Sequence, residues 1–237
     1  MPSHHFPLSR SDIGAAVAGN RSVVRVPDFA SATERAELRA ACDEAEKEQR
    51  QNILTSTATC LRFEVIARKL SQNRVATALG GGATQALADL LVRRALKFVQ
   101  QQLPTLAEAM QLSSACCETC GFEFSEGEPA INIYYGPGGS FMPHQDAQAL
   151  TLLLPLSDVE EFGGGGTAFY AHDASLPSCR AMKTAPLRII RPPAGSALMW
   201  GASLIHAGAD VTSGRRIVFV ASFTPRAASG RGSTDRA

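Results

Sequence analysis

The sequence predicts an α+β chain in which helices come first and a β-rich core of the sandwich or barrel type follows. Residues 83–103 place Leu87, Leu90, Leu91, Ala95, Phe98 and Val99 at helical spacing. From about residue 121 the texture changes to short β-branched and aromatic segments between Gly and Pro turns. Length and composition frame both observations. The chain has 237 residues, 45% of them hydrophobic, enough apolar side chain to offset the entropy of ordering one domain. The balance of 23 Lys+Arg against 22 Asp+Glu argues against a protein that works mainly by gripping phosphate backbones.

Residues 1–21 read as an N-terminal extension. The segment 22–29 alternates in the strand manner through Val23, Val24 and Val26. Ser31 or Thr33 can cap a helix through residues 34–50, with Leu38, Ala41, Cys42 and Ala45 at helical spacing. The segment 59–70 fits strand or helix, and Gly80–Gly82 a break or a helix lead-in. The region 49–82 is a candidate substrate lid, and Lys/Arg-rich 64–74 a candidate groove lining or a solvated face. The helix at 83–103 meets a break at Pro104. The β segments FEF, AINIYY, GPGGSF, ALTLLLPL, TAFYA, LRIIRPP, SALMW and RIVFVASF then run to residue 226. Residues 227–237 are small and polar, as in a flexible tail. The expected organisation is one domain over 22–226, with helical support over 22–120 and the β core over 121–226.

No stretch approaches the roughly 18 apolar residues of a membrane span, and residues 1–20 lack the apolar core of a secretory signal. The expectation is a cytoplasmic protein with no membrane partner. Six cysteines stand at 42, 60, 116, 117, 120 and 179. Cys117 and Cys120 form a CxxC, but no second pair completes a zinc site, so free thiols are expected.

The chemistry concentrates in the β half. His144 and Asp146 are separated by one residue, a spacing that puts both side chains on one face of an extended segment. An imidazole and a carboxylate on one face are two thirds of a 2-His-1-carboxylate triad, and a β sandwich can bring His206 across to complete it. Such a triad suits Fe(II) and leaves three positions open. A 2-oxo acid fills two of them, and O₂ the third. The far carboxylate of that co-substrate needs a buried cation. Arg215 and Arg216 open an otherwise apolar strand, and one of two adjacent strand residues points inward.

The ordered runs YYGPGGSFMPHQDA, EFGGGGTAFY, RPPAGSALMW and IHAGADVTSGRRIVFVASF resemble the Fe(II)/2-oxoglutarate dioxygenases, in their prolyl-4-hydroxylase-like branch, over about residues 128–226. The resemblance implies a double-stranded β-helix (jelly roll) with the N-terminal helices packed on its outer face. It implies iron ligation by His144, Asp146 and His206, with 2-oxoglutarate and O₂ as co-substrates and ascorbate as an accessory reductant. The basic co-substrate residue falls on Arg216, with Arg215 facing solvent or the substrate mouth. The Tyr of the turn before HxD falls on Tyr135, with Tyr134 as the alternative register. Some relatives carry a further Tyr on the strand after HxD; here that strand is LTLLLPL, and Thr151 or Thr167 is the candidate donor in its place.

The implied activity is hydroxylation of an unactivated C–H bond in a prolyl peptide, amino acid or related small molecule, with release of succinate and CO₂. The alternatives are a non-catalytic metal-binding barrel or sensor, or an oxygenase doing desaturation or cyclisation. Relatives that repair nucleic acid carry a second Arg six residues past the first; here that position is Ser222, so no nucleic-acid partner is expected. Plainer roles stand beside these. His172 reads as a surface residue or a substrate contact, Trp200 as core rather than a substrate platform, and Gly163–Gly166 as a tight turn between strands.

Overall fold

A computed structural model of the chain describes residues 23–55, 71–72, 74–78, 82–109, 120–170, 185–201 and 204–226. In chain order these form β1 (Val24–Val26), α1 (Ala32–Thr55), β2 (Ser71–Gln72), β3 (Arg74–Ala78), α2 (Gly82–Gln102), α3 (Pro104–Ala109), β4 (Gly121–Phe124) and β5 (Ala130–Tyr135). There follow β6 (Gly139–His144), β7 (Leu150–Pro155), β8 (Phe162–Gly164), β9 (Thr167–Phe169), β10 (Arg188–Ile190), β11 (Ala197–Gly201) and β12 (His206–Arg226). The expected extension at 1–21, the tail at 227–237, most of 56–81, Cys116, Cys117 and His172 lie outside the described residues.

The helix starts follow from local chemistry. Ser31 caps α1 reciprocally: its amide donates to the Glu34 carboxylate at 2.8 Å and its hydroxyl accepts from the Glu34 amide at 3.2 Å. Of the two candidate caps, Ser31 is the one used. Pro104 ends α2 and opens α3, where its missing N–H costs nothing. The buried stripe of α2 is Leu87, Ala88, Leu91, Val92, Ala95, Leu96 and Val99. Leu90, expected on that stripe, is 49% exposed because it lies one position off this i, i+3, i+4 set.

Every strand pairing among the described residues is antiparallel, and β12 joins two sheets. The major sheet runs β1–β11–β7–β12–β5–β3, with β4 against the far end of β12. In the minor sheet, the first residues of β12 lie between β6 and β9, which carry β2 and β10 on their outer edges. The strand passes from one sheet to the other at Gly214, whose φ of 73° suits glycine, and where a Cβ would collide with the Glu161 carbonyl. This is the expected double-stranded β-helix. The half expected to be helical also donates β1, β2 and β3, two of which come from the segment 71–78, where periodicity was uninformative.

Both faces of the major sheet are buried. Its outer face sends Ile131, Ile133, Leu152, Leu154, Phe219 and Phe223 into one cluster with Leu38 and Cys42 of α1 and the stripe of α2, so the helices pack on the outside of the barrel. Removing a side chain such as Phe219 from water contributes roughly 1.5–3 kcal/mol. Ion pairs fasten the helices at their edges: Arg94 to Glu34 at 2.6 Å, Arg39 to Glu161 at 2.7 Å and Arg215 to Asp43 at 2.8 Å. The inner face carries Tyr134, Leu153, Leu198, Trp200 and Val218, and it lines the site.

Candidate active site

The residues paired across the minor sheet include the two histidines themselves, since His206 lies directly opposite His144 in the β12–β6 register. Asp146, just past the end of β6, completes the group. Its carboxylate oxygens stand 3.5 Å from His144 Nε2 and 3.5 Å from His206 Nε2. One candidate ligand atom from each of the three residues lies within 4.8 Å of the others. The expected triad is assembled.

Each imidazole is aimed by the backbone. His144 Nδ1 lies 2.9 Å from the Met142 carbonyl, and His206 Nδ1 lies 3.0 Å from the Leu204 carbonyl. A carbonyl only accepts, so each Nδ1 carries the proton and each Nε2 turns a lone pair into the site. Aromatic walls hold the rings: Phe141 stands edge-on to His144 at 4.5 Å, and Trp200 to His206 at 4.7 Å.

The protonation states match. Burial pushes His206 down to about 4, with the neighbouring His144 adding to the effect against the pull of Asp146. It is therefore neutral near pH 7. For Asp146 burial works toward a higher value, but the bond to His144, the facing His206 and the Thr151 hydroxyl together hold it at about 2. Two imidazoles and one carboxylate in a convergent group are the donor set of a facial triad, and they fit a divalent iron with positions to spare.

The triad opens on a cavity of about 430 Å³. Arg216 lines the same cavity, 4% exposed. Its Nη2 donates to Thr167 Oγ1 at 3.2 Å and its Cζ lies 5.2 Å from the Tyr134 ring centroid. No carboxylate of the described residues pairs with it. Beside it runs the glycine turn, where Gly165 at φ 64° sits so near that a Cβ would stand 3.2 Å from Arg216 Cδ. Arg215 faces the other way, toward Asp43 and Cys42 of α1.

Two expectations need correction. Tyr135, the preferred tyrosine, packs against the outer, helix-side cluster, whereas Tyr134 lines the cavity. The register explains it: Tyr134 is opposite Arg216, and Tyr135 opposite Arg215, so the inward Arg fixes the inward Tyr. Thr151, a candidate co-substrate donor, spends its hydroxyl on Asp146 Oδ2 instead. Thr167 does line the cavity, and Trp200 is both core and cavity wall. Phe141 and the carbonyls of Met142 and Leu204 were not anticipated. The carbonyls each precede their histidine by two residues, and backbone groups leave no side-chain signature.

No family model and no curated protein sequence matches the chain. Solved structures do. A Pseudomonas putida prolyl-4-hydroxylase superposes with a TM-score of 0.52 at 13% identity, over 92% of this chain and 98% of that one. AviO1 from Streptomyces viridochromogenes Tue57 gives 0.52 at 13% identity, over 93% and 98%. The non-heme alpha ketoglutarate dependent epimerase SnoN from nogalamycin biosynthesis gives 0.50 at 17% identity, over 90% and 82%. The chain therefore has the double-stranded β-helix fold found in a prolyl-4-hydroxylase and in a 2-oxoglutarate-dependent epimerase.

Proposed function

We propose that the chain is an Fe(II)- and 2-oxoglutarate-dependent dioxygenase that hydroxylates an unactivated C–H bond of a prolyl peptide, amino acid or related small molecule, releasing succinate and CO₂. One observation carries the proposal. A convergent His144–Asp146–His206 group and a buried guanidinium with no carboxylate partner among the described residues face the same cavity. A barrel that merely holds a metal has no use for that guanidinium, since burying a charge without an anion is costly.

The residues divide the work. His144, Asp146 and His206 hold the metal, and their carbonyl and hydroxyl partners keep the donor atoms aimed. Iron bound there supplies O₂ activation coupled to oxidative decarboxylation of 2-oxoglutarate and to oxidation of the substrate C–H bond. Arg216 offers a planar fork to the far carboxylate of 2-oxoglutarate. Thr167 steadies one arm of that fork, and the Tyr134 ring supports its face. Leu153, Phe141 and Trp200 make the walls apolar, which limits water at the reacting centre.

The test is turnover of 2-oxoglutarate to succinate against a panel of prolyl peptides and free amino acids, with the substrate followed by mass. Gain of one oxygen atom supports hydroxylation. Loss of two hydrogens moves the assignment to desaturation or ring closure, and an unchanged mass with inverted stereochemistry to epimerisation, as in the neighbour SnoN. A protein that binds iron yet forms no succinate with or without substrate is a binding module, and the proposal fails.

A further inference from the structure

Asp146 has two oxygens and the site gives them different neighbours. Oδ1 faces His144 Nε2, whereas Oδ2 faces His206 Nε2 and also receives the Thr151 hydroxyl. Thr151 is 1% exposed and sits on β7, the next strand after the HxD segment. Its position is fixed from both sides, by pairing with Trp200 of β11 and with Ser222 of β12. The backbone that carries the hydroxyl is thus held in the middle of the major sheet, within reach of one carboxylate oxygen.

We propose that Thr151 is a positioning residue that ties up Asp146 Oδ2, so that the carboxylate offers the metal one oxygen rather than two. The consequence is chemical. A carboxylate that binds through both oxygens occupies two coordination positions. One that binds through a single oxygen leaves three open, as many as a bidentate 2-oxo acid and O₂ require. A hydrogen bond to the other oxygen also stabilises the ionised form and fixes its orientation. Such outer contacts are typically worth about 10–100-fold in metal affinity. The inference rests on the metal reading of the triad.

The test separates metal binding from chelate formation in Thr151→Val, with Thr151→Ser as the conservative control. Trp200 is the only tryptophan and its ring lies 4.7 Å from that of His206, so its fluorescence reports binding of Fe(II) or Co(II) under anaerobic conditions. The visible band of the Fe(II)–2-oxoglutarate chelate reports the open positions. The expected result is a roughly 10–100-fold loss of metal affinity in T151V. At saturating Fe(II) the variant also shows a further weakening of 2-oxoglutarate binding, and T151S stays near the wild type in both. A purely structural role for Thr151 would lower the melting temperature of the apoprotein and leave both affinities of the folded protein unchanged. That outcome overturns the inference. Should T151V not fold, T151A carries the same comparison against T151S. Failure of the wild-type protein to bind metal would overturn the functional proposal and this inference together. Normal binding in both wild type and T151V would overturn this inference alone.

Discussion

The two faces of the major sheet are built from the same strands and have opposite characters. On the outer face, Ile131, Ile133, Leu152, Leu154, Ile217 and Phe219 meet the helices, and the charge of Arg215 on the same face is paired with Asp43 of α1. On the inner face, the intervening residues of those strands include Asn132, Tyr134, Thr151, Arg216 and Ser222, all buried. The outer face holds the barrel together. The inner face spends stability, burying a cation and several polar groups so that a cavity can recognise something. Alternation along a strand lets one backbone do both, and a shift of one residue would exchange the two roles.

Substitutions on the two faces should therefore have separable effects. The largest is expected at the metal group: His206→Ala lowers Fe(II) affinity by at least about 100-fold, since an outer-sphere contact alone is worth 10–100-fold, while melting of the apoprotein changes little by comparison. Isothermal titration under anaerobic conditions checks this, and unchanged affinity removes His206 from the ligand set. Phe219→Ala on the outer face should do the reverse. It destabilises the protein by about 3–5 kcal/mol in denaturant unfolding, and the folded fraction binds metal as before.

Arg216→Met sharpens the contrast further. Replacing a buried charge that has no carboxylate partner among the described residues by an apolar side chain of similar length should leave the apoprotein as stable or more stable, by up to about 1–4 kcal/mol, while 2-oxoglutarate binding is lost. A variant that is both destabilised and competent in 2-oxoglutarate binding would place Arg216 in the structural class. The smallest effect concerns the helix layer. The Arg94 guanidinium beside Glu34 holds its carboxyl at about 2, against an ordinary 4.5. A lowered folded value means stability that is present above about pH 4.5 and is lost as pH falls toward 2. Acid unfolding curves of wild type and Glu34→Gln should therefore converge over that window and separate above it. Parallel curves throughout would show that the pair does not contribute.

Much of this was legible in the sequence, for reasons that differ by element. The stripe of α2 and the central strands carry periodicity or apolar runs that burial requires, so they could be read directly. The His144–Asp146 pair was legible because one-residue spacing on an extended chain fixes a common face. The choice of Tyr134 over Tyr135 was not, because it depends on which residue stands opposite Arg216 across β5 and β12, a non-local register. Strands β2 and β3 were hidden for the same reason. Their short segments, SQ and RVATA, show little pattern of their own and become strands by pairing with β6 and β5. The sequence offers Thr151 as a donor to the co-substrate, but its actual partner, Asp146, depends on where the carboxylate comes to rest.

The triad and Arg216 line one cavity, and we propose that together they form one site for a metal and a 2-oxo acid. This is tested most directly by titrating the anaerobic apoprotein with Fe(II), then 2-oxoglutarate, and recording the visible charge-transfer band of the chelate. The expected result is a band in the wild type, no band in His206→Ala, and a band that needs far more 2-oxoglutarate in Arg216→Met. Metal binding without a band in the wild type would contradict it.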